Sequence, residues 1–309
     1  MLDSLLIPLD GSEFSEHTLP YARSVAKASG ARVHLAHVHV PHPPEDLLLN
    51  PQFQFEGVSM GEYDKEYRSE ERDYLEGVAA RFHDQTGVEV VQELLEGDVR
   101  ESIEAYADQA KTDLILMSTH GRTGLSRFWL GSVADDLVRN LTLPILLVPP
   151  GEESGESKPE VDFEHILVPL DGSPWGESIL GPALDLGWKA GAKFTLLHVV
   201  PTSRVVGART YPVPMGHLEE RRNRAKEYLS EVAGRLAAQS VEVECRVVDH
   251  SSPARAVLVM ADTEDVDLIA LATHGHRAIT RAVLGSVADK VVRASSRPVL
   301  VQRPGMTED

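Results

Sequence analysis

One cysteine, Cys245, is all that 309 residues contain, so no intrachain disulfide can form and a reducing compartment is expected. Positive charge is also scarce: 30 Lys and Arg against 48 Asp and Glu leave a formal charge of −18. Such a surface repels DNA, RNA and anionic membranes, so no nucleic-acid or membrane partner is expected. A small anion can still be held in one locally basic pocket. Nothing approaches the roughly 18 uninterrupted apolar residues of a transmembrane helix. The apolar run within Met1–Pro8 is too short and too soon interrupted for a signal peptide, which points to the cytoplasm. Missing too are a Gly-x4-Gly-Lys-Ser/Thr loop, a Gly-x-Gly-x-x-Gly turn, a zinc-protease helix and an evident nucleophile-base pair. The sequence offers no machinery for fast turnover.

What is present is self-similarity. Ile7-Pro8-Leu9-Asp10-Gly11-Ser12 returns as Val168-Pro169-Leu170-Asp171-Gly172-Ser173, and His37-Val38 returns as His198-Val199, both 161 positions on. Thr119-His120-Gly121 and Leu130-Gly131-Ser132-Val133-Ala134-Asp135 return 154 positions on, as Thr273-His274-Gly275 and Leu284-Gly285-Ser286-Val287-Ala288-Asp289. The first copy therefore carries seven extra residues, expected in the Pro41–Gly61 segment against the shorter Pro201–Gly216. Both segments read as loops, where length changes cost little. Gly151–Glu160 has no apolar residue to bury and reads as a flexible connection. The expected organisation is domain 1 over 1–150, a linker over 151–162 and domain 2 over 163–309.

Within each copy, short β-rich runs alternate with helical patterns. Leu5–Leu9 and Ile166–Leu170 are apolar without alternation, as in strands buried on both faces. Arg32–Val40, Val88–Leu94, Asp113–Met117 and Pro144–Val148 read as four more strands. Leu218, Ala225, Leu229, Val232 and Leu236 mark the apolar stripe of a helix. Asp98-x-x-Glu101 predicts a capping box on the third helix, and Ser252-Pro253 a cap with an N1 proline on its counterpart. This alternation predicts an α/β fold: two tandem Rossmann-like domains, each a five-stranded parallel sheet with helices on both faces. If the strand order is 3-2-1-4-5, the connection reverses between strands one and four, where open α/β sheets bind ligands. Asp10 and the loop at Gly121 both belong there.

That loop runs Ser118-Thr119-His120-Gly121, nine residues, then Gly131-Ser132 and a helical pattern; its twin runs Ala272-Thr273-His274-Gly275 to Gly285-Ser286. Gly121 and Gly131 permit a tight turn and close backbone approach to a ligand. The helix from Ser132 presents unsatisfied N–H groups suited to phosphate oxygens. His120, Arg122 and Arg127, with His274, His276, Arg277 and Arg281, add local positive charge. The loop resembles the Gly-x2-Gly-x9-Gly-Ser/Thr nucleotide motif of universal stress proteins, and the resemblance covers both copies nearly end to end. It implies ATP, ADP or AMP, with Mg, as the ligand. By that resemblance Asp10 and Asp171 line the adenosine end, and Val38 and Val199 meet the adenine. Met117 and Leu271, with Ser118 and Ala272 at the motif's first glycine, belong to the same sites. Gly121, Arg127, Gly131, Ser132 and Val133, with Gly275, Arg281, Gly285, Ser286 and Val287, belong to the ribose-phosphate end. Serine and alanine fit the first position if its φ is negative and not if it is positive.

Other features have plainer readings. Asp10-Gly11-Ser12 can be a simple Asx turn, and Arg122 and Arg127 solvated surface charges. His37-x-His39 invites a metal reading, but no carboxylate or cysteine accompanies it in sequence. Cys245 alternates with Val241, Val243 and Val247 and reads as core. Phe128-Trp129-Leu130 reads as packing. The last strands, Pro144–Val148 and Pro298–Gln302, are apolar edges that need covering. The resemblance implies that they pair, joining the two copies as an internal pseudo-dimer; a homodimer of chains and an unknown protein partner are further expectations. The functional reading is a nucleotide binder of the stress-response type with little or no turnover. The alternatives are a slow adenine-nucleotide hydrolase or phosphotransferase, and a scaffold with one or both pockets empty.

Overall fold

A computed structural model describes residues 2–41, 60–119, 130–150, 161–187, 191–206, 209–273 and 284–305. In the first half, strands β1 (Ser4–Pro8), β2 (Arg32–His39), β3 (Val90–Glu96), β4 (Leu114–Ser118) and β5 (Ile145–Val148) alternate with helices. These are the short α1 (Glu13–Glu16), α2 (Leu19–Ser29), α3 (Met60–Thr86), α4 (Val99–Gln109) and α5 (Ser132–Asn140). The second half repeats the plan with β6 (His165–Pro169), α6 (Pro174–Glu177), α7 (Leu180–Gly187) and β7 (Lys193–Pro201). It adds a ribbon, β8 (Ser203–Val206) and β9 (Arg209–Pro212). It then continues with α8 (Met215–Ala237), β10 (Val243–His250), α9 (Pro253–Thr263), β11 (Leu268–Ala272), α10 (Ser286–Ala294) and β12 (Val299–Gln302).

The strands form one ten-stranded sheet in the order β10-β7-β6-β11-β12-β5-β4-β1-β2-β3. Each half contributes the order 3-2-1-4-5, all parallel, and the only antiparallel contact in that sheet joins β5 to β12. There Leu146 lies opposite Leu300, its own counterpart in the repeat, so a local two-fold axis passes between them. The last strands thus cover each other within one chain, as expected.

Alternate residues of the central strands feed two cores, as the period of two requires. Leu5, Ile7, Val33 and Leu35 face α2 and α3, with Ile166, Val168, Phe194 and Leu196 facing α7 and α8. Leu6, Ile115, Ile145, Leu167, Ile269 and Val299 face a second layer made of α4, α5, α10 and α9. Each core runs continuously through both halves. The stripe Leu218, Ala225, Leu229, Val232 and Leu236 is buried on α8 as predicted.

Four readings change. Pro201–Gly216 is not an irregular loop: Ser203–Val206 and Arg209–Pro212 pair antiparallel. Residues 42–59 of the corresponding first-half segment lie outside the described residues, as do 151–160 of the expected linker. Cys245 is exposed rather than core, because β10 is an edge strand with only one neighbour; its Sγ donates to the Leu229 carbonyl at 3.5 Å. Partial burial raises the thiol pKa, which keeps it protonated. Asp98 does cap α4 by accepting from Glu101 N at 3.0 Å, although α1 breaks off from α2 and makes this the fourth helix. Ser252 occupies the cap position of α9 before Pro253, but its hydroxyl makes no capping bond. Among the described residues, no helix is long and apolar enough to cross a membrane.

Candidate functional site

The reversal of strand order falls between β1 and β4, and a cavity of about 430 Å³ opens at their carboxyl ends. Asp10, Val38, Met117, Ser118, Gly131, Ser132 and Val133, which the family resemblance assigns to one ligand, all line it. Val99 and Ile103 of α4 add apolar wall. Gly121 and Arg127, with His120 and Arg122, lie outside the described residues, as do Phe128 and Trp129.

Asp10 is held by the turn it starts. Its Oδ1 accepts from Ser12 N at 3.0 Å and from Ser12 Oγ at 2.5 Å, and Ser12 Oγ in turn accepts from Ser15 N at 3.2 Å to cap α1. Gly11 has φ 78°, a left-handed backbone that explains glycine between Asp10 and Ser12. The Asx turn and the cavity wall are therefore one device: the turn orients the carboxylate that faces the ligand space.

Ser118 and Ala272 end β4 and β11 in extended backbone. The non-glycine residues with positive φ, among those described, are Lys111, Ser240 and Asp265, so neither departure from the glycine motif is strained. Beyond Ser118, Thr119 N donates to Val148 O at 2.9 Å, and Gly131 N donates to Thr119 O at 2.8 Å. That second bond joins the residues on either side of 120–129, and Gly285 N to Thr273 O at 2.8 Å repeats it. Gly131 opens α5 with φ −56° and ψ 148°, a conformation open to any residue, so a tight turn does not explain this glycine. Gly131 lines the cavity wall and supplies no side-chain cap to α5.

In the second half, Asp171 follows β6 and accepts from Ser173 N and Oγ at 3.0 and 2.5 Å, the same turn around Gly172 at φ 84°. Val199 lies on β7, Leu271 and Ala272 end β11, and Gly285, Ser286 and Val287 open α10, each at the station of its first-half counterpart. Gly275 and Arg281, with His274, His276 and Arg277, lie outside the described residues. Gly176 replaces Ser15; a Cβ there would meet Asp171 Oδ1 at 2.8 Å.

The carboxylates reported absent around His37-x-His39 do exist, supplied by α3. His39 is 2% exposed and places Nδ1 2.7 Å from Glu71 Oε2 and Nε2 2.9 Å from Asp64 Oδ1. His37 Nε2 lies 3.3 Å from Glu71 Oε1. Asp64 also accepts from Arg68 Nε at 2.7 Å, and Arg68 reaches Glu96 on β3. Burial acts to lower the His39 pKa, but hydrogen bonds to Glu71 and Asp64 outweigh it and raise the value above the ordinary imidazole range. The partners lie 25 and 32 positions away in sequence, and only the packing of α3 on β2 unites them. His37 and Glu71 reach the cavity wall. The second half solves the same place with carbon: Val200, Leu218 and Ala225, the counterparts of His39, Asp64 and Glu71, form an apolar cluster with Val213. Among the described residues, no group of His, Cys, Asp and Glu is arranged to hold a metal ion.

Sheet order, crevice and internal symmetry define a tandem doubly-wound α/β protein with a crevice at the strand-order reversal of its first half. The sequence model of the universal stress protein family matches residues 1–149 and again 162–303, and the chain belongs to that family. A universal stress protein of Methanocaldococcus jannaschii is 31% identical over 144 residues, covering 47% of this chain and 80% of that one. One from Mycolicibacterium smegmatis is 23% identical over 303 residues, 97% of both chains, so tandem organisation is shared. The crystal structure of a universal stress protein from Archaeoglobus fulgidus covers 98% of both chains with a TM-score of 0.71 at 20% identity, a likeness of fold.

Proposed function

We propose that the first-half crevice binds ATP, ADP or AMP, and that its occupancy biases association with other proteins in a stress response, with little or no turnover. The observation carrying this reading is that Asp10, Val38, Met117, Ser118, Gly131 and Ser132, far apart in sequence, meet in one cavity. A volume of about 430 Å³ is within the range of small-molecule sites, roughly 300–1,000 Å³. Its chemistry fits the two ends of a nucleotide. Val38, Val99, Ile103 and Met117 offer apolar surface to a base, Asp10 an acceptor for ribose hydroxyls, and the uncapped start of α5 backbone N–H groups for phosphate. Asp10 and Glu71 repel phosphate, which orients the anionic end toward α5. Mg accompanies the phosphates in this proposal. Asp171, Val199, Leu271, Ala272, Gly285, Ser286 and Val287 are proposed as the second site.

A helix terminus contributes about 0.3–1 kcal/mol to holding an anion, and up to ~2 in a favourable geometry. Micromolar affinity requires roughly 8 kcal/mol, so base burial and hydrogen bonding must dominate. The direct test is mass spectrometry of ligand released from gently denatured protein, with calorimetric titration of ATP. Gly121→Val with Gly275→Val is expected to abolish binding while the circular dichroism spectrum survives; unchanged ATP affinity would remove the assigned loop. Mg-ATP turnover above roughly 1 s⁻¹ would replace the binder reading with an enzymatic one.

A further inference from the structure

The two halves differ in charge at one equivalent surface place. Between α9 and α10 runs a groove of about 320 Å³, floored by Ala254, Leu258 and Ala294 and rimmed by Arg255, Lys290 and Arg293, with one carboxylate, Asp289. Arg293 is already engaged by Asp289 at 2.8 Å and by Asp135 across the local two-fold at 3.2 Å. Arg255 and Lys290 are exposed and make no ion pair among the described residues. The uncapped start of α9 at Ser252 adds unsatisfied N–H groups to the same rim.

In the first half, 154 positions earlier, both exposed cations become carboxylates and two uncharged positions become acidic, while Arg293 keeps its sign as Arg139. Arg255 corresponds to Glu101, Leu258 to Glu104, Lys290 to Asp136 and Ser252 to Asp98. Asp98 spends its carboxylate on its own helix, and Glu101 and Glu104 share only Arg100. Glu101 and Asp136 are exposed. The protein thus presents a basic groove and an acidic face on one helix layer, exchanged by the half-turn through Leu146 and Leu300.

We propose that this layer is a self-association surface whose occupant is a second copy of the chain. The symmetry makes the geometry definite. A two-fold axis lying in the interface, perpendicular to the line joining groove and acidic face, sets the acidic face of each copy on the basic groove of the other. Both contacts form at once and the assembly closes as a dimer, the commonest soluble symmetry. The −18 charge of each chain opposes association, but a Debye length of about 8 Å at physiological salt confines the balance to groups at the contact. There, opposite signs meet over the apolar floor of Ala254, Leu258 and Ala294.

The test is sedimentation equilibrium of the full chain at about 0.15 M ionic strength. The parent protein is expected to dimerise. Arg255→Glu with Lys290→Glu, or Glu101→Lys with Asp136→Lys, is expected to raise the dimer dissociation constant by roughly tenfold or more, because like charges then face each other. All four substitutions together restore opposite signs with roles exchanged and are expected to restore the dimer. These positions are exposed, so unchanged thermal unfolding checks each fold. A monomeric parent, a basic-rim variant that dimerises as well as the parent, or a fourfold variant that stays monomeric would each overturn the proposal. A dimer lost on acidic-face reversal and regained only in the charge exchange supports it over docking of an unrelated acidic protein.

Discussion

Replacing His39 by valine, the residue its second-half counterpart Val200 already carries, isolates the buried polar network of the first half. The substitution removes two donors at once and leaves Glu71 Oε2 and Asp64 Oδ1 without the partners that stood at 2.7 and 2.9 Å. Glu71 is only 17% exposed, so water cannot fully replace the lost bond. A buried acceptor left unpaired costs about 1–3 kcal/mol. At roughly 2–4 °C per kcal/mol for units of this size, the melting temperature is expected to fall by about 2–12 °C. The sign of the pH dependence follows from the raised His39 pKa. The imidazolium's contribution is fully present below its unfolded value, about 6.5, and is lost as pH rises through the higher folded value. Asp64 acts oppositely: hydrogen bonds from Arg68 and His39 lower its pKa, so its contribution holds above about 3.9 and is lost as pH falls through the depressed folded value. The deficit of the variant is therefore largest near pH ~5–6 and shrinks toward alkaline pH. Thermal unfolding by circular dichroism across pH ~5–9 measures it. A second arm uses the repeat as its guide: adding Asp64→Leu and Glu71→Ala to His39→Val installs the apolar solution of the second half. Replacing a whole buried polar cluster by packed carbon is commonly neutral or stabilising, so the triple variant should recover the lost stability. Equal melting of parent and His39→Val at pH ~5.5, or a deficit that grows with pH, would refute the reasoning.

Leu146→Pro places a residue without an N–H where β5 has neighbours on both sides, and is expected to cost about 3 kcal/mol or more and promote aggregation. Unchanged melting and elution volume would count against the β5–β12 seam. Gly187→Ala puts a Cβ 2.7 Å from Ile166 Cδ1 and 2.9 Å from both Ala192 Cβ and Phe194 Cζ, so overpacking of about 1–3 kcal/mol should lower the denaturant midpoint. Gly131→Val, at a φ any residue tolerates, should leave melting nearly unchanged while weakening ATP binding in calorimetry. Loss of fold would show that Gly131 serves packing.

The fold was legible because its signals are local and doubled. Apolar runs at Leu5–Leu9 and Ile166–Leu170, the α8 stripe and the Asp98 cap each need only neighbouring residues to be read, and each strand-helix unit occurs twice. The cavity residues were legible for the same reason, as recurring blocks at strand ends. What escaped depends on distant partners. Nothing near His37-x-His39 announces Glu71 and Asp64, because a histidine on β2 meets them only after a long connection returns α3. Cys245 alternates like a core residue, but its burial is decided by β10 having one neighbour, a property of sheet order. The ribbon β8–β9 hid in a stretch whose proline and glycine read as a loop.

Fusing the two halves also changes the kinetics of their union. Strands on separate polypeptides come apart on dilution, whereas Ile145–Val148 and Val299–Gln302 meet in a first-order step at the effective concentration that their tether sets. The pairing of its halves therefore does not depend on chain concentration. Its two halves stay in one-to-one stoichiometry at every expression level.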